Sequence, residues 1–156
     1  MDYVQGSIGR VFVARLADGE SIYDAIEGLA RTENVRAGIC TVVGGIRRGR
    51  VVTGPETLSM PVEPHYEIFD DAREIIGVGT LFWDEEGPKL HLHAGIGRGQ
   101  SALVGCPRGG ATTYLVLEVV LLEIVGMEAE RRLDPESGLK LLALMGGPSI
   151  REGGAR

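Results

Sequence analysis

Cysteines, histidines and aromatic residues are scarce in this chain. Its 156 residues include two cysteines and three histidines, and aromatic residues make up 5% of the total. Cys40 and Cys106 lie far apart and form no CxxC pair, which argues against a disulfide framework. This cysteine usage is typical of the reducing cytosol, so we expect a cytoplasmic protein.

A long uninterrupted apolar segment is also lacking. The N-terminal stretch MDYVQGSIGR has no apolar signal core. The longest apolar run, YLVLEVVLLEIVG, is interrupted by Glu118 and Glu123 and is too short to span a bilayer. The sequence therefore predicts a protein without a membrane partner.

Positive charge is in the minority. Lysine and arginine number 16 against 22 aspartate and glutamate residues, which gives a net charge of −6 at pH 7. A domain that neutralises many DNA phosphates on its own is usually basic. The charge therefore argues against autonomous DNA binding, although it is compatible with a local basic patch.

What is present is the pattern of one α+β (α/β) domain. A chain of this length fits one domain with a single core. The segment GRVFVARLADGES predicts a strand and a turn. A helix is expected to follow, with Ser21 as its N-cap and Asp24 at the capping-box position, and to end near residues 32–34.

Most of the remaining chain is predicted to form strands. VRAGICTVVGGI and RRGRVVTG predict two strands, REIIGVGTLFWDEEGPKLHLHAGI a hairpin with DEEG as its turn, and ATTYLVLEVVLLEIVG a long strand. The glycine-rich stretch before the long strand is predicted to be a connecting loop. We expect a mostly antiparallel or mixed sheet with one or two packed helices, as a single domain over residues 1–145 with a flexible tail over 146–156.

His91 and His93 form the first candidate site. On a strand they point to one face, and Leu90 and Leu92 point to the other. Two imidazoles at this spacing can reach one metal ion, and zinc, nickel or iron suits nitrogen ligands. The alternative is a pair of solvated or hydrogen-bonded histidines, since zinc sites normally draw three or four protein ligands.

Three other motifs fit known templates poorly. GIGRGQS has Gln100 where GxGxxG needs its third glycine, and a strand follows it, so a phosphate site is not predicted. Arg47, Arg48 and Arg50 in RRGR resemble the Arg-Gly-Arg core of an AT-hook. They lie between apolar strands, so we interpret them as an exposed strand face that could add to a nucleic-acid-binding patch. Ser101 lacks the GxSxG context of a nucleophile.

No catalytic residue is predicted. Cys106 could form a Cys–His pair, but a cysteine between Gly105 and Pro107 is more often a small residue in a tight turn. Glu118 and Glu123 face opposite sides of their strand and so do not form a carboxylate pair. Glu118 is expected to need a partner, because a lone charge in an apolar strand is costly to bury.

In their order and spacing these segments resemble the PPC domain family (DUF296), the plants-and-prokaryotes conserved domain. The matching parts are VFVARLADGESIYDAI, VRAGICTVVGGI, GVGTLFWDEEGPKLHLHAGIG, ALVGC, LEVVLLEIVG and ERRLDPESGLKLL, over about residues 10–145. The resemblance implies a curved, mostly antiparallel sheet assembled as a homotrimer. Plant members carry the domain beside AT-hooks, and free-standing prokaryotic members are associated with DNA by that analogy.

The resemblance also implies a metal site in several family members, built from an H-x-H strand and a later Gly-Gly-His. His91 and His93 match the first pair. Gly105, Cys106 and Pro107 stand where the later motif falls. Pro107 has no ligand atom, so the third family ligand is missing from this sequence.

Three alternatives follow from the missing ligand. Cys106 could take over as a thiolate, His65 or a neighbouring subunit could complete the site, or the site could be empty. Loss of one of three ligands costs most of the affinity for zinc. On this argument the sequence favours an empty or weakly occupied site.

The sequence and the resemblance together favour a homotrimeric binding or regulatory module over an enzyme. The first interpretation is a DNA-associated or transcription-associated module, which rests on family analogy. The alternative is a metal-binding or small-molecule-binding protein, with zinc as the candidate ion and a pocket around His91 and His93. Enzymatic activity at that pocket is left open.

Overall fold

The computed structural model describes residues 1–147. Most of the predicted tail, residues 148–156, lies outside the described residues. The elements in chain order are β1 (Ser7–Ala17), α1 (Ile22–Thr32), β2 (Ala37–Pro55), β3 (Pro64–Phe69), β4 (Arg73–Asp84), β5 (Gly87–Arg98), β6 (Ser101–Val125), β7 (Glu128–Leu133) and β8 (Lys140–Met145).

The strands form one sheet in which four members close into a ring. β2 pairs with β6 on one side and with β4 on the other, and β5 pairs with both β6 and β4. β1 extends the sheet at β6, β3 extends it at β2, and the β7–β8 hairpin meets β4. Within residues 1–147 the pairings are antiparallel except at the parallel contact of Trp83 with Glu130.

The fold is richer in strand than the α+β label implies. The expected mostly antiparallel or mixed sheet is present, and α1 is the one α-helix among the described residues. No helix in this part of the chain is long and apolar enough to cross a membrane. The sequence predicted one or two helices, and the described chain has one helix and long paired strands.

The helix follows its sequence signals. Ser21 is the N-cap, and its hydroxyl accepts a hydrogen bond from the Asp24 amide at 3.3 Å, as the capping pattern predicts. Ile22, Ile26 and Ala30 form the buried face. This face joins the core of the sheet, and the helix packs mainly against β5 and β6.

The prediction of a glycine-rich connecting loop is wrong beyond the first turn. Arg98 pairs with Ser101 across a two-residue turn, and residues 101–125 then form one continuous strand. The two strands predicted around RRGR are likewise one strand, β2. Glycine here permits close strand contact and does not break the strand. A Cβ on Gly44 would lie 2.3 Å from the Val116 carbonyl oxygen.

The expectation that Glu118 needs a partner is wrong, and the other glutamate of β6 is the buried one. Glu118 is exposed, whereas Glu123 is buried and carries the partner. The Arg10 guanidinium donates to both Glu123 oxygens at 2.8 and 2.9 Å, and the Arg10 amide donates to the same carboxylate at 3.1 Å. Arg10 also bonds the Glu33 carbonyl at 2.8 Å, so it ties β1, β6 and the end of α1 together.

The Arg10–Glu123 pair makes stability depend on pH. The hydrogen bonds from Arg10 lower the pKa of Glu123 from 4.5 to about 2. Because the folded pKa is depressed, this stabilisation is complete above about pH 4.5 and is lost as the pH falls towards 2. We expect Glu123→Gln to cost about 1–3 kcal/mol of unfolding free energy at pH 7, and much less near pH 2, in urea titrations.

Glu128→Gln is the matched control, because Glu128 is exposed on a strand. We expect it to change the unfolding free energy by less than about 0.5 kcal/mol. Equal urea midpoints for the two variants at pH 7 would contradict the structural role of Glu123.

Candidate metal centre

The two strand histidines share one face of β5. Leu90 and Leu92 are buried, while His91 and His93 are exposed, as strand alternation predicts. The two Nε2 atoms lie 3.1 Å apart, and the rings meet edge to face with centroids 4.8 Å apart. Both imidazoles therefore offer a nitrogen to the same point.

A third ligand atom comes from β6. β5 and β6 pair as far as Ala94 with Gly105, and one more step of that register would place Cys106 opposite His93. The two histidine nitrogens and the Cys106 sulfur all lie within 4.8 Å of one another. The structure thus brings together the three residues of the first sequence alternative.

Gly105 makes this arrangement sterically feasible. At this residue β6 leaves β5, and Cys106 pairs with Val52 of β2. A Cβ on Gly105 would lie 2.1 Å from the Val52 carbonyl oxygen, far inside van der Waals contact. A larger residue would push β2 and β6 apart, and Cys106 with them.

Tyr23 fixes the backbone next to the cysteine. Its hydroxyl donates a short hydrogen bond to the Pro107 carbonyl and lies 4.0 Å from the Cys106 sulfur. Burial raises the pKa of Tyr23 well above its usual range, and the neighbouring Cys106 adds to the shift. The phenol therefore stays protonated and acts as the donor that holds α1 against β6 at the cluster.

The electrostatic environment favours a neutral His91. Partial desolvation lowers its pKa, and the nearby Arg131, His93 and Arg108 lower it further. A neutral imidazole has the free electron pair that a metal ligand needs. His91 therefore presents a neutral ring at neutral pH.

His65 does not complete the cluster. It lies on β3, where Nδ1 is 2.9 Å from Glu56 and Nε2 is 3.5 Å from Glu67. These carboxylates raise its pKa, with the Glu56 hydrogen bond as the largest cause. Cys106, and not His65, stands with the histidine pair in this chain.

The three candidate DNA-contacting arginines have different surroundings. Arg47 is paired with Asp18, with Nη2 at 2.5 and 2.6 Å from the two carboxylate oxygens. Arg50 is exposed and lies over the Tyr66 ring at 4.2 Å, and Arg48 is also exposed. Within residues 1–147, no carboxylate therefore neutralises the charges of Arg48 and Arg50. The charge of Arg47 is neutralised by Asp18.

Sequence reasoning missed Tyr23, Arg108 and Arg131. Arg108 carries a weak signal, because it stands two residues after Cys106 on the same strand. Tyr23 and Arg131 carry none, since α1 and β7 reach the cluster only through the tertiary fold. All three line a cavity of about 630 Å³ that also includes His91.

Taken together, these features define a strand-rich domain with one helix and a histidine–histidine–cysteine cluster at the junction of β5 and β6. The family model of the Plants and Prokaryotes Conserved domain (PCC, also written PPC) matches residues 3–125. The chain belongs to this family, which confirms the resemblance seen in its sequence.

Solved structures share the fold. A metal-containing protein from Archaeoglobus fulgidus is 22% identical with a TM-score of 0.81, covering 92% of this chain and 99% of that one. A PPC protein from Pyrococcus horikoshii is 20% identical with a TM-score of 0.76, covering 92% and 100%. A protein from Bacteroides thetaiotaomicron, provisionally named as DNA-binding, is 21% identical with a TM-score of 0.73, covering 89% and 97%.

At these identities the likeness to solved structures shows the fold alone. No curated protein matches the chain.

Proposed function

We propose that this protein is a self-associating PPC-domain protein that binds a zinc-like metal ion through His91, His93 and Cys106. The observation that carries the proposal is the convergence of two imidazole nitrogens and one thiol sulfur within 4.8 Å. In this arrangement Cys106 supplies the third ligand that Pro107 cannot provide.

The donor set fits the ion. Zinc bonds of about 2.0–2.3 Å to nitrogen and sulfur place tetrahedral ligand atoms roughly 3.3–3.8 Å apart. The His91–His93 nitrogen separation of 3.1 Å is close to that spacing. Mixed nitrogen and thiolate ligands favour zinc over calcium or magnesium, which prefer oxygen.

Three protein ligands leave one tetrahedral position free. A zinc ion with such an open position polarises whatever oxygen-containing group or water binds there. In this chain His91 and His93 would hold the ion as neutral donors. Tyr23, through its bond to the Pro107 carbonyl, would keep Cys106 in place. No side chain is assigned a catalytic role.

Self-association is supported by an exposed apolar sheet face. The register aligns Val13, Val120, Thr41, Val78 and His93 in one row across five strands, and all five are exposed. Val11, Val43, Ile76 and Val104 extend this surface on both sides. A contiguous apolar patch of this kind marks a contact surface.

A second copy of the chain is the partner we favour for this face, in the homotrimer that the family resemblance implies. The same row ends at His93, so the apolar face and the metal cluster are continuous. Assembly would shield the cluster from bulk water. Water exclusion strengthens electrostatic interactions at such a site.

Elemental analysis of protein loaded with zinc and then desalted tests the metal site. We expect about one zinc per chain, with affinity falling at least about 100-fold in His91→Ala and in Cys106→Ser, because each removes one of three ligands. His65→Ala is the control, because His65 lies with Glu56 and Glu67. Metal-free wild-type protein, or unchanged zinc affinity in Cys106→Ser, would refute the proposed ligand set.

Light-scattering mass tests the proposed assembly. We expect the wild-type protein to have three times the chain mass of 16.7 kDa. Ile76→Lys should reduce this to one chain, because Ile76 is 69% exposed on the apolar face. Leu133→Lys is the matched control, since Leu133 is 65% exposed on β7, away from that face. A monomeric wild-type protein, or an unchanged mass in Ile76→Lys, would exclude this face as the interface.

DNA association is the second candidate function. It is favoured by Arg48 and Arg50, which are exposed and unpaired by carboxylates among the described residues, and by the provisional names of related structures. The Asp18 pair removes Arg47 from the predicted patch, and the net charge of −6 opposes phosphate binding. The metal site is therefore the better supported of the two.

Gel shifts with duplex DNA test the second candidate. It predicts retention at about 50 mM salt that is lost at about 200 mM, since counterion release makes such binding salt-dependent. Arg48→Gln combined with Arg50→Gln should weaken retention, whereas Arg47→Gln should not, because Asp18 already neutralises that charge. Absence of retention at low salt would eliminate direct DNA binding.

A further inference from the structure

A cavity of about 630 Å³ adjoins the metal cluster and shares His91 with it. A cavity of this size accommodates a small organic ligand. One part of its wall is polar and charged, and the other is apolar. The apolar residues of the wall are Leu90, Leu139, Leu141 and Leu142.

The lysines of this wall are already paired with carboxylates. Lys89 lies 2.7 Å from Glu86, and Lys140 lies 2.7 Å from both Asp84 and Glu85. These pairs leave no free positive charge on the lysines. They also occupy the carboxylates of Asp84, Glu85 and Glu86.

Glu27, the remaining carboxylate of the wall, has a structural partner. Its Oε1 accepts a hydrogen bond from the Leu90 amide at 2.9 Å. This bond links α1 to β5 at the rim of the cavity. Glu27 makes no ion pair among the described residues.

Arg108 and Arg131 are the cations left over. Neither makes an ion pair with a carboxylate in the described part of the chain, although both line the cavity. Arg131 is half-buried, and its Nη2 donates to Thr80 Oγ1 at 3.1 Å. Desolvation lowers the pKa of Arg131, and the charge of Arg108 lowers it further. Within residues 1–147, the two like charges therefore face one space whose only carboxylate outside an ion pair is that of Glu27.

We propose that this cavity binds a small organic anion whose oxyanion head group pairs with Arg108 and Arg131 and whose apolar body lies on the leucines. Guanidinium groups bind carboxylates and phosphates through paired, charge-assisted hydrogen bonds. An anion in this position supplies a counter-charge that neither arginine finds in an ion pair within residues 1–147.

The inference deepens the proposed function, since it names the ligand class for the space beside the metal. His91 lines the cavity, so an anion held by the arginines lies next to the proposed metal ligand. The anion site itself consists of side chains that are present without a metal. It can therefore be tested on metal-free protein.

Calorimetric titration of metal-free protein with benzoate, phenyl phosphate and benzamide tests the proposal. Benzamide has the shape of benzoate without its charge. We expect benzoate or phenyl phosphate to bind with a dissociation constant in the millimolar range or below, and benzamide at least about tenfold more weakly. The stronger of the two anions identifies the head group. Equal binding of benzoate and benzamide, or no binding of either anion, would overturn the proposal.

Arg131→Gln and Arg108→Gln should each weaken anion binding about tenfold or more. Arg132→Gln is the matched control, because Arg132 is exposed and paired with Glu130 and does not line the cavity. Equal losses in Arg131→Gln and Arg132→Gln, or full binding in both cavity variants, would refute the assigned residues. Thermal unfolding measurements check that each variant is folded. If one of the two cavity variants does not fold, the other still tests the proposal.

Repeating the titrations after zinc loading separates the two proposals. If the metal-free protein binds the anion but takes up no zinc on loading, the metal centre is rejected and the anion site is upheld. Zinc uptake without discrimination between benzoate and benzamide would uphold the metal centre and reject the anion site.

Discussion

The departure of β6 from β5 at Gly105 is the constraint on which the candidate site depends. Up to that residue β6 pairs with β5, and immediately after it β6 pairs with β2. Because Gly105 has no side chain, the Val52 carbonyl can approach at a distance that a Cβ would forbid. The same step closes the ring of strands and places the Cys106 sulfur beside His91 and His93.

Charge around the site is distributed unevenly. Elsewhere some arginines are matched, as in the Arg10–Glu123 pair that ties the first strand to the sheet, and others, such as Arg48 and Arg50, are not. Beside the cluster, Arg108 and Arg131 face a cavity without such partners within residues 1–147. Arg108 is exposed and Arg131 is half-buried, so the desolvation cost falls on Arg131, and this cost supports a ligand-binding role for the cavity. His91, whose pKa is lowered first by desolvation and then by the neighbouring charges, borders the same cavity.

Local signals predicted the parts of the fold that depend on a few neighbouring residues. Ser21 and Asp24 marked the helix start, and strand alternation put His91 and His93 on one face. The position of Cys106 depends on a change of strand partner, which no local pattern encodes. Arg131 reaches the cavity because β7 docks on β4, and Glu123 is buried because β1 covers it. Glycines misled the prediction, since they allow close strand contact here and do not end the strand.

Cys106 is proposed to replace the missing third histidine as a metal ligand. The electronic absorption spectrum of the cobalt-substituted protein tests this most directly, because a thiolate bound to Co²⁺ gives a charge-transfer band that imidazole ligands alone do not. We expect this band in the wild-type protein and its loss in Cys106→Ser. Stoichiometric cobalt binding without a thiolate band would contradict it.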